Sequence, residues 1–270
     1  VRAAQRSVRR RFRSRAAGRH ARQPRPDEAA IDWALGIGEQ LAETVDDAKA
    51  VFRSPALWDG PRGRAALETL VGSLQLIALP FYPGSLELSA NSAPLPEDSS
   101  SNVLRLARGP QANVFYQVLD AIVADTLLAE NADLVGISIP TMGQLVAGLT
   151  VAHLLRARGC RAHITVGGPH ITMLREQLVG APALFDLIDS AVVFDGERPL
   201  GELVRALEKG AGLAGVPNLI YRDGGRVVAN ALAPAVPLAE LPTPDFGGLP
   251  LGRYLIPEPV LPLISSRGCY

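Results

Sequence analysis

Apolar residues recur at helical spacing between Ala29 and Val51, at Ile31, Ala34, Leu35, Leu41, Val45 and Ala48, with acids on the other face, which predicts an amphipathic helix. Ala66, Leu67, Leu70, Val71 and Leu74 predict a second. Leu76 to Leu88 alternates poorly and holds Pro80 and Pro83, so it reads as extended chain with a turn. Residues 91 to 112, rich in Ser, Pro and Asn, read as a loop. Helical period returns from Asn113 to Ala129 through Val118, Leu119, Ile122, Val123 and Leu127.

From Asp133 the pattern becomes strand, helix, strand, helix. Asp133 to Ile139 is a short apolar strand; Gln144 to Arg158 a helix with Leu145, Leu149, Ala152 and Leu155 on one stripe, ended by Gly159; Ala162 to Val166 a second strand. A shorter helix covers Ile171 to Val179, a third strand Ser190 to Phe194, and a helix follows with Leu200, Leu203, Val204 and Leu207. Alternation at this spacing predicts right-handed crossovers and a parallel sheet, an α/β fold of Rossmann-like type. Asn218 to Tyr221, the turn Asp223-Gly224-Gly225 and Arg226 to Val228 form a β-hairpin by turn chemistry, and a Pro-rich linker, Ala233 to Pro259, leads to a final apolar strand. The expected divisions are a basic leader at 1–26, a helical region with an extended segment at 27–131, the sheet domain at 132–215, hairpin and linker at 216–259, and the first strand of a further domain at 260–270.

Charge changes the picture at one end. Residues 1–26 carry ten Arg and no acid, which leaves 17 basic against 27 acidic residues in the remainder, a net of −10. The folded part is acidic, which argues against a nucleic-acid partner. The leader reads as a disordered basic tail, a transit-like segment, or residues foreign to the domain; we favour a non-native or shortened start, because the strand with which such a domain should open is missing there. No apolar run approaches the ~20 residues that span a bilayer. Cys160 and Cys269 stand far apart in dissimilar contexts, so a secreted-type disulfide framework has no support and a reducing cytoplasm fits better.

In an open α/β sheet, ligands bind beyond the carboxyl ends of the strands. Three loops qualify: Pro140-Thr141-Met142-Gly143, Gly167-Gly168-Pro169-His170, and Asp195-Gly196-Glu197. Paired glycines let a ligand approach the backbone. Ser138 and Thr141 offer hydroxyls to a ligand, that of Ser138 equally readable as satisfying a neighbouring backbone group. His170 sits at a strand-end loop, whereas His163 within a strand and His153 within a helix read as structural or exposed. Glu197 stands where a carboxylate either meets a ligand or starts a helix.

Taken in order, these elements resemble the cobalamin-binding domains of radical S-adenosylmethionine proteins. Ser138-Ile139-Pro140 beside Thr141 is followed, after 26 residues from Pro140, by Gly167-Gly168; GGPH stands at Gly167 to His170, a variant of GEGE with Leu200 at Phe194 to Glu197, and the P-x-L-x-Y-R-D-G-G hairpin at Pro217 to Gly225. The likeness is continuous from about Asp133 and loose upstream. The ending Ser265-Ser-Arg-Gly-Cys-Tyr270 resembles the start of a C-x-x-x-C-x-x-C cluster loop, with Cys269 as the first of three ligands; a [4Fe-4S] cluster needs its full thiolate set.

The resemblance implies that this chain is the cobalamin-binding module of a radical S-adenosylmethionine enzyme, a methyltransferase acting at an unactivated carbon or phosphorus. The cluster, S-adenosylmethionine and the barrel would belong to the full-length parent in cis, and the chain alone is expected to bind cobalamin weakly and to lack turnover. Cofactor contacts would come from Ser138, Pro140, Thr141, Gly167, Gly168, Pro169, His170, Asp195, Gly196 and Glu197. Two departures stand out: no D-x-H-x-x-G motif for a lower cobalt ligand exists, and Phe194 replaces the first Gly of GEGE. A non-catalytic cobalamin carrier or sensor is the alternative. A nucleotide-binding domain ranks lower, since neither G-x-G-x-x-G after the first strand nor a P-loop is present.

Overall fold

The computed structural model describes residues 26–262; residues 1–25 of the basic leader, with His20, and residues 263–270 of the expected final strand, with Cys269, lie outside the described residues. The described chain divides into two compact units, residues 26–94 with 242–262, and Leu95–Leu241.

In the first unit, α1 (Glu28–Phe52) starts where Asp27 accepts a hydrogen bond from the Ala30 amide at 2.7 Å, which satisfies one of the orphan donors of a helix start. It packs on α2 (Gly60–Ala78). Ala34, Leu41 and Leu76 form one buried cluster and Ala48, Ala66 and Leu70 another. The helical period carries through Leu76 to Ala78, so the expected extended segment begins later than its prolines suggested, at the two-residue strands β1 (Ser85–Leu86) and β2 (Asn91–Ser92). No helix among the described residues is long and apolar enough to cross a membrane.

The second unit is an α/β layer structure. It opens with α3 (Ser100–Arg108) inside the stretch expected to be loop. Ser99 caps this helix by accepting from the Asn102 amide, and Val103, Leu104, Leu106 and Ala107 are buried. The Ser-rich composition marks a cap, and burial against a neighbouring helix supplies the stability that local propensity does not. Next come α4 (Tyr116–Ile122), which continues as a π-helical turn over Val123–Leu127, and β3 (Leu134–Ser138), α5 (Leu145–Ala157) and β4 (His163–Gly167). Both α3 and α4 pack on α5. Asn113 joins these helices, donating to Thr150 Oγ1 at 2.7 Å and to Leu106 O at 3.4 Å.

The helix expected over Ile171 to Val179 is two short ones, α6 (Pro169–Met173) and α7 (Arg175–Val179). Then follow β5 (Ser190–Val192), α8 (Glu197–Glu208), β6 (Leu219–Asp223) and β7 (Arg226–Ala229). The strands form one sheet in the order β3-β4-β5-β6-β7. Within it β3, β4 and β5 are parallel, with Ser138 beside Gly167 and Val166 beside Ala191; β6 and β7 are antiparallel. The sheet is therefore mixed. The hairpin forms its edge, because Leu219, Ile220 and Tyr221 bury their side chains in doing so, and a two-stranded hairpin is marginal alone. Its turn places Gly224 and Gly225 at φ of 51° and 88°, the left-handed conformation glycine adopts without penalty.

Candidate functional site

Strand alternation divides the sheet into two faces. Val135, Ile137, Ile164, Val166, Ala191, Val193 and Ile220 take part in the main core cluster with α3, α5, α6 and α7. On the other face Val192, Leu219 and Tyr221 pack with Leu203 of α8. By the parallel register this second face carries Leu134, Gly136 and Ser138 of β3 beside His163, Thr165 and Gly167 of β4. Gly136 and Ser138 are exposed. The face toward β3 thus presents small and polar side chains leading to the strand tips.

At those tips the three expected loops come together, because β3, β4 and β5 are adjacent and parallel. The Ile139 amide extends the ladder by donating to Gly167 O at 2.7 Å. Gly168 has φ 107° and ψ 170°, a region closed to other residues, and a Cβ there would lie 2.8 Å from Ile139 O. Its neighbour differs: a Cβ on Gly167 would lie 3.4 Å from Val192 O, an ordinary contact. Gly168 is therefore accounted for by the close approach of one strand tip to the next. Gly167 retains room.

Thr172, one turn into α6, ties two loops: its hydroxyl donates to Gly168 O at 3.3 Å and accepts from the Phe194 amide at 2.8 Å. Phe194 itself has φ 61°. The left-handed geometry that a glycine would supply here is kept with a phenyl side chain, at a cost of about 1–2 kcal/mol. The Arg175 guanidinium lies 5.6 Å from the ring centroid, a cation–π contact that offsets part of the strain. Neither Thr172 nor Arg175 stood out in the sequence. The spacing of Thr172 four residues after Gly168 was the available signal.

The Thr141 hydroxyl donates to Gln144 Oε1 at 3.2 Å. Pro140 and Pro169 are exposed, and His170 is half-buried, its imidazole held below the ordinary range by burial. Asp195 and Gly196 are half-buried; Glu197 is exposed and opens α8, where a carboxylate is favoured by the helix dipole. Among the described residues no three of His, Cys, Asp and Glu converge as a metal site.

His163 lies at the opposite end of the strands. Its Nε2 is 2.8 Å from Ser190 Oγ, which donates to Thr165 Oγ1 at 2.9 Å. Beside it Asp189 accepts from Arg156 and from the Ile164 amide, while Arg156 also donates to Cys160 O and Ala162 O. This network locks the starts of β4 and β5 to the end of α5.

No protein-family model matches the chain. It is 29% identical over 163 residues, 57% of its length, to a protein of Pyrococcus horikoshii named an uncharacterized methyltransferase. The match spans 35% of that relative, so the chain covers well under half of its length.

Proposed function

We propose that the second unit is a cobalamin-binding module serving a radical S-adenosylmethionine methyltransferase, with the corrin lying across the tips of β3, β4 and β5. The observation that carries this reading is the alignment of three loops, Pro140–Thr141, Gly167–His170 and Asp195–Glu197, beyond adjacent parallel strands, where such sheets bind ligands. The small groups at Gly136, Ser138 and Gly167 beneath that rim fit a bulky flat cofactor with a tail. The methyltransferase name of the Pyrococcus horikoshii relative supports methyl transfer as the reaction class.

Bound cobalamin would supply a transferable methyl group. The chain's part is positional. Ser138, exposed at the end of β3, can hydrogen-bond a polar tail laid on that face, and Gly167 leaves space beside it. His170, whose imidazole burial holds below its ordinary range, can donate or accept a hydrogen bond at the rim. Thr172 holds the β4 and β5 loops at a fixed separation through Gly168 and Phe194, and so fixes the platform on which the ring would rest. The chain has two cysteines, so an iron-sulfur cluster with Cys269 as one ligand would draw its other thiolates from outside this chain.

The test is titration with hydroxocobalamin, followed by its visible spectrum, of this chain and of the protein encoded in full. A saturable spectral change in the longer protein, weakened at least tenfold by Gly167→Val, is expected. Spectral silence of both proteins overturns the proposal. Saturable binding by a full-length protein that holds no iron after anaerobic reconstitution would favour a carrier or sensor.

A further inference from the structure

Within the sheet unit a cavity of about 430 Å³ lies on the core face, opposite the face that carries Gly167. Val103 of α3, Leu145 and Leu149 of α5, Val166 of β4 and Ile171 of α6 contribute apolar wall. None of the rim residues Ser138, Thr141, Gly168 or Asp195 lines it. Its size is that of a small-molecule site.

The polar side chains of its lining come from the segment Glu97 to Ser100 and from Gln177. Most have partners: Asp98 accepts from Asn102 Nδ2 at 3.2 Å, and Ser99 accepts from the Asn102 amide and lies 3.3 Å from Ser101 Oγ. Glu97 differs. Its Oε2 is buried without a hydrogen-bond partner, and among the described residues it is the one side-chain oxygen or nitrogen in that condition. Burial holds its carboxyl above the usual range. Buried polar atoms are nearly always satisfied, and an orphan calls for a physical reason.

The cavity is partly open to solvent and its wall is mainly hydrocarbon, the kind of surface that takes the apolar body of a small ligand. A ligand with an apolar body and a donor at one end would fill the walls and satisfy the carboxylate together. Because the unsatisfied atom is a carboxylate oxygen, the best donor is a cation, which makes a stronger hydrogen bond than a neutral group.

We propose that this cavity is a binding site for a small organic amine, its hydrocarbon or aryl body against Val103, Leu149, Val166 and Ile171 and its ammonium group on Glu97. The site is separate from the strand-tip rim and does not rest on the cobalamin reading.

The experiment is isothermal titration of the whole chain with three probes of one shape: 4-phenylbutylamine, 4-phenylbutan-1-ol and 4-phenylbutyrate. The amine should bind saturably, the alcohol about tenfold more weakly, and the carboxylate undetectably. Glu97→Gln should bring the amine to the affinity of the alcohol while leaving the alcohol unchanged and the circular dichroism spectrum intact. Leu149→Phe, which fills the cavity from its wall, should remove both. Failure of the amine to bind, or amine binding insensitive to Glu97→Gln, overturns the proposal. Neither result depends on whether hydroxocobalamin binds.

Discussion

Replacing Gly168 by Ala tests whether the geometry of the strand tips is set by packing. The added Cβ would sit 2.8, 2.9 and 3.1 Å from the O, C and N atoms of Ile139. These are backbone atoms of the chain leaving β3 and cannot rotate away. At φ 107° and ψ 170° a residue other than glycine costs about 1–3 kcal/mol in backbone energy. Forcing a methyl group into a filled space adds about 1–3 kcal/mol. The sum is about 4 kcal/mol, enough to unfold a marginal domain.

Gly167→Ala is the internal control. Its backbone lies in the ordinary region and its Cβ would meet Val192 O at 3.4 Å, so the change should stay within about 1 kcal/mol. Urea unfolding followed by far-ultraviolet circular dichroism measures both. Both tryptophans, Trp33 and Trp58, lie in the first unit, so tryptophan fluorescence monitors that unit separately. Equal losses in the two variants would refute the claim that the approach of Gly168 to Ile139, rather than glycine at the tip in general, determines stability.

Histidine burial makes stability depend on pH. The His163 imidazole is held below its ordinary range first by burial, with Asp189 opposing and Arg156 reinforcing, so the unfolded chain binds its proton more readily than the folded one. Its contribution is present above the unfolded value of about 6.5 and is lost as pH falls below it. His153 and His170 share the direction, whereas Glu97, raised by burial, acts in the opposite sense as pH rises through the carboxylate range. The urea midpoint should fall between pH 7.5 and 5.5, and His163→Asn should flatten part of that slope; an unchanged slope contradicts the assignment. Asn113→Ala removes the donor to Thr150 and Leu106 and the acceptor for the Phe115 amide. Leu106 O keeps the Gly109 amide and Thr150 Oγ1 keeps Val146 O, so the cost is that of the lost hydrogen bonds, about 2 kcal/mol, read as a lower urea midpoint, and a loss under about 0.5 kcal/mol would show that the bridge carries little.

The strands and the loops at their tips were legible because their signals are local. Apolar runs bounded by turn residues placed the strands at 134–138, 163–167 and 190–192 to within two residues, and Asp223-Gly224-Gly225 marked the hairpin. Gly159, at φ 81°, ends α5 where expected. The helix α3 was hidden, since Ser99, Ser100, Ser101 and Asn102 resemble loop until the burial of Val103 to Ala107 is known. Phe194 concealed its left-handed backbone, because nothing in a phenylalanine announces a positive φ.

The sequence by itself determined what periodicity and turn chemistry encode within a dozen residues: the strands, the strongly periodic helices and the loops at the strand tips. Only the tertiary structure decided that β6 and β7 complete the sheet, that Gly168 is fixed by Ile139, and that Glu97 faces a cavity without a partner. The reason is physical. Strand pairing, close approach and desolvation depend on which distant groups share a space, and that is settled by packing across the chain rather than along it.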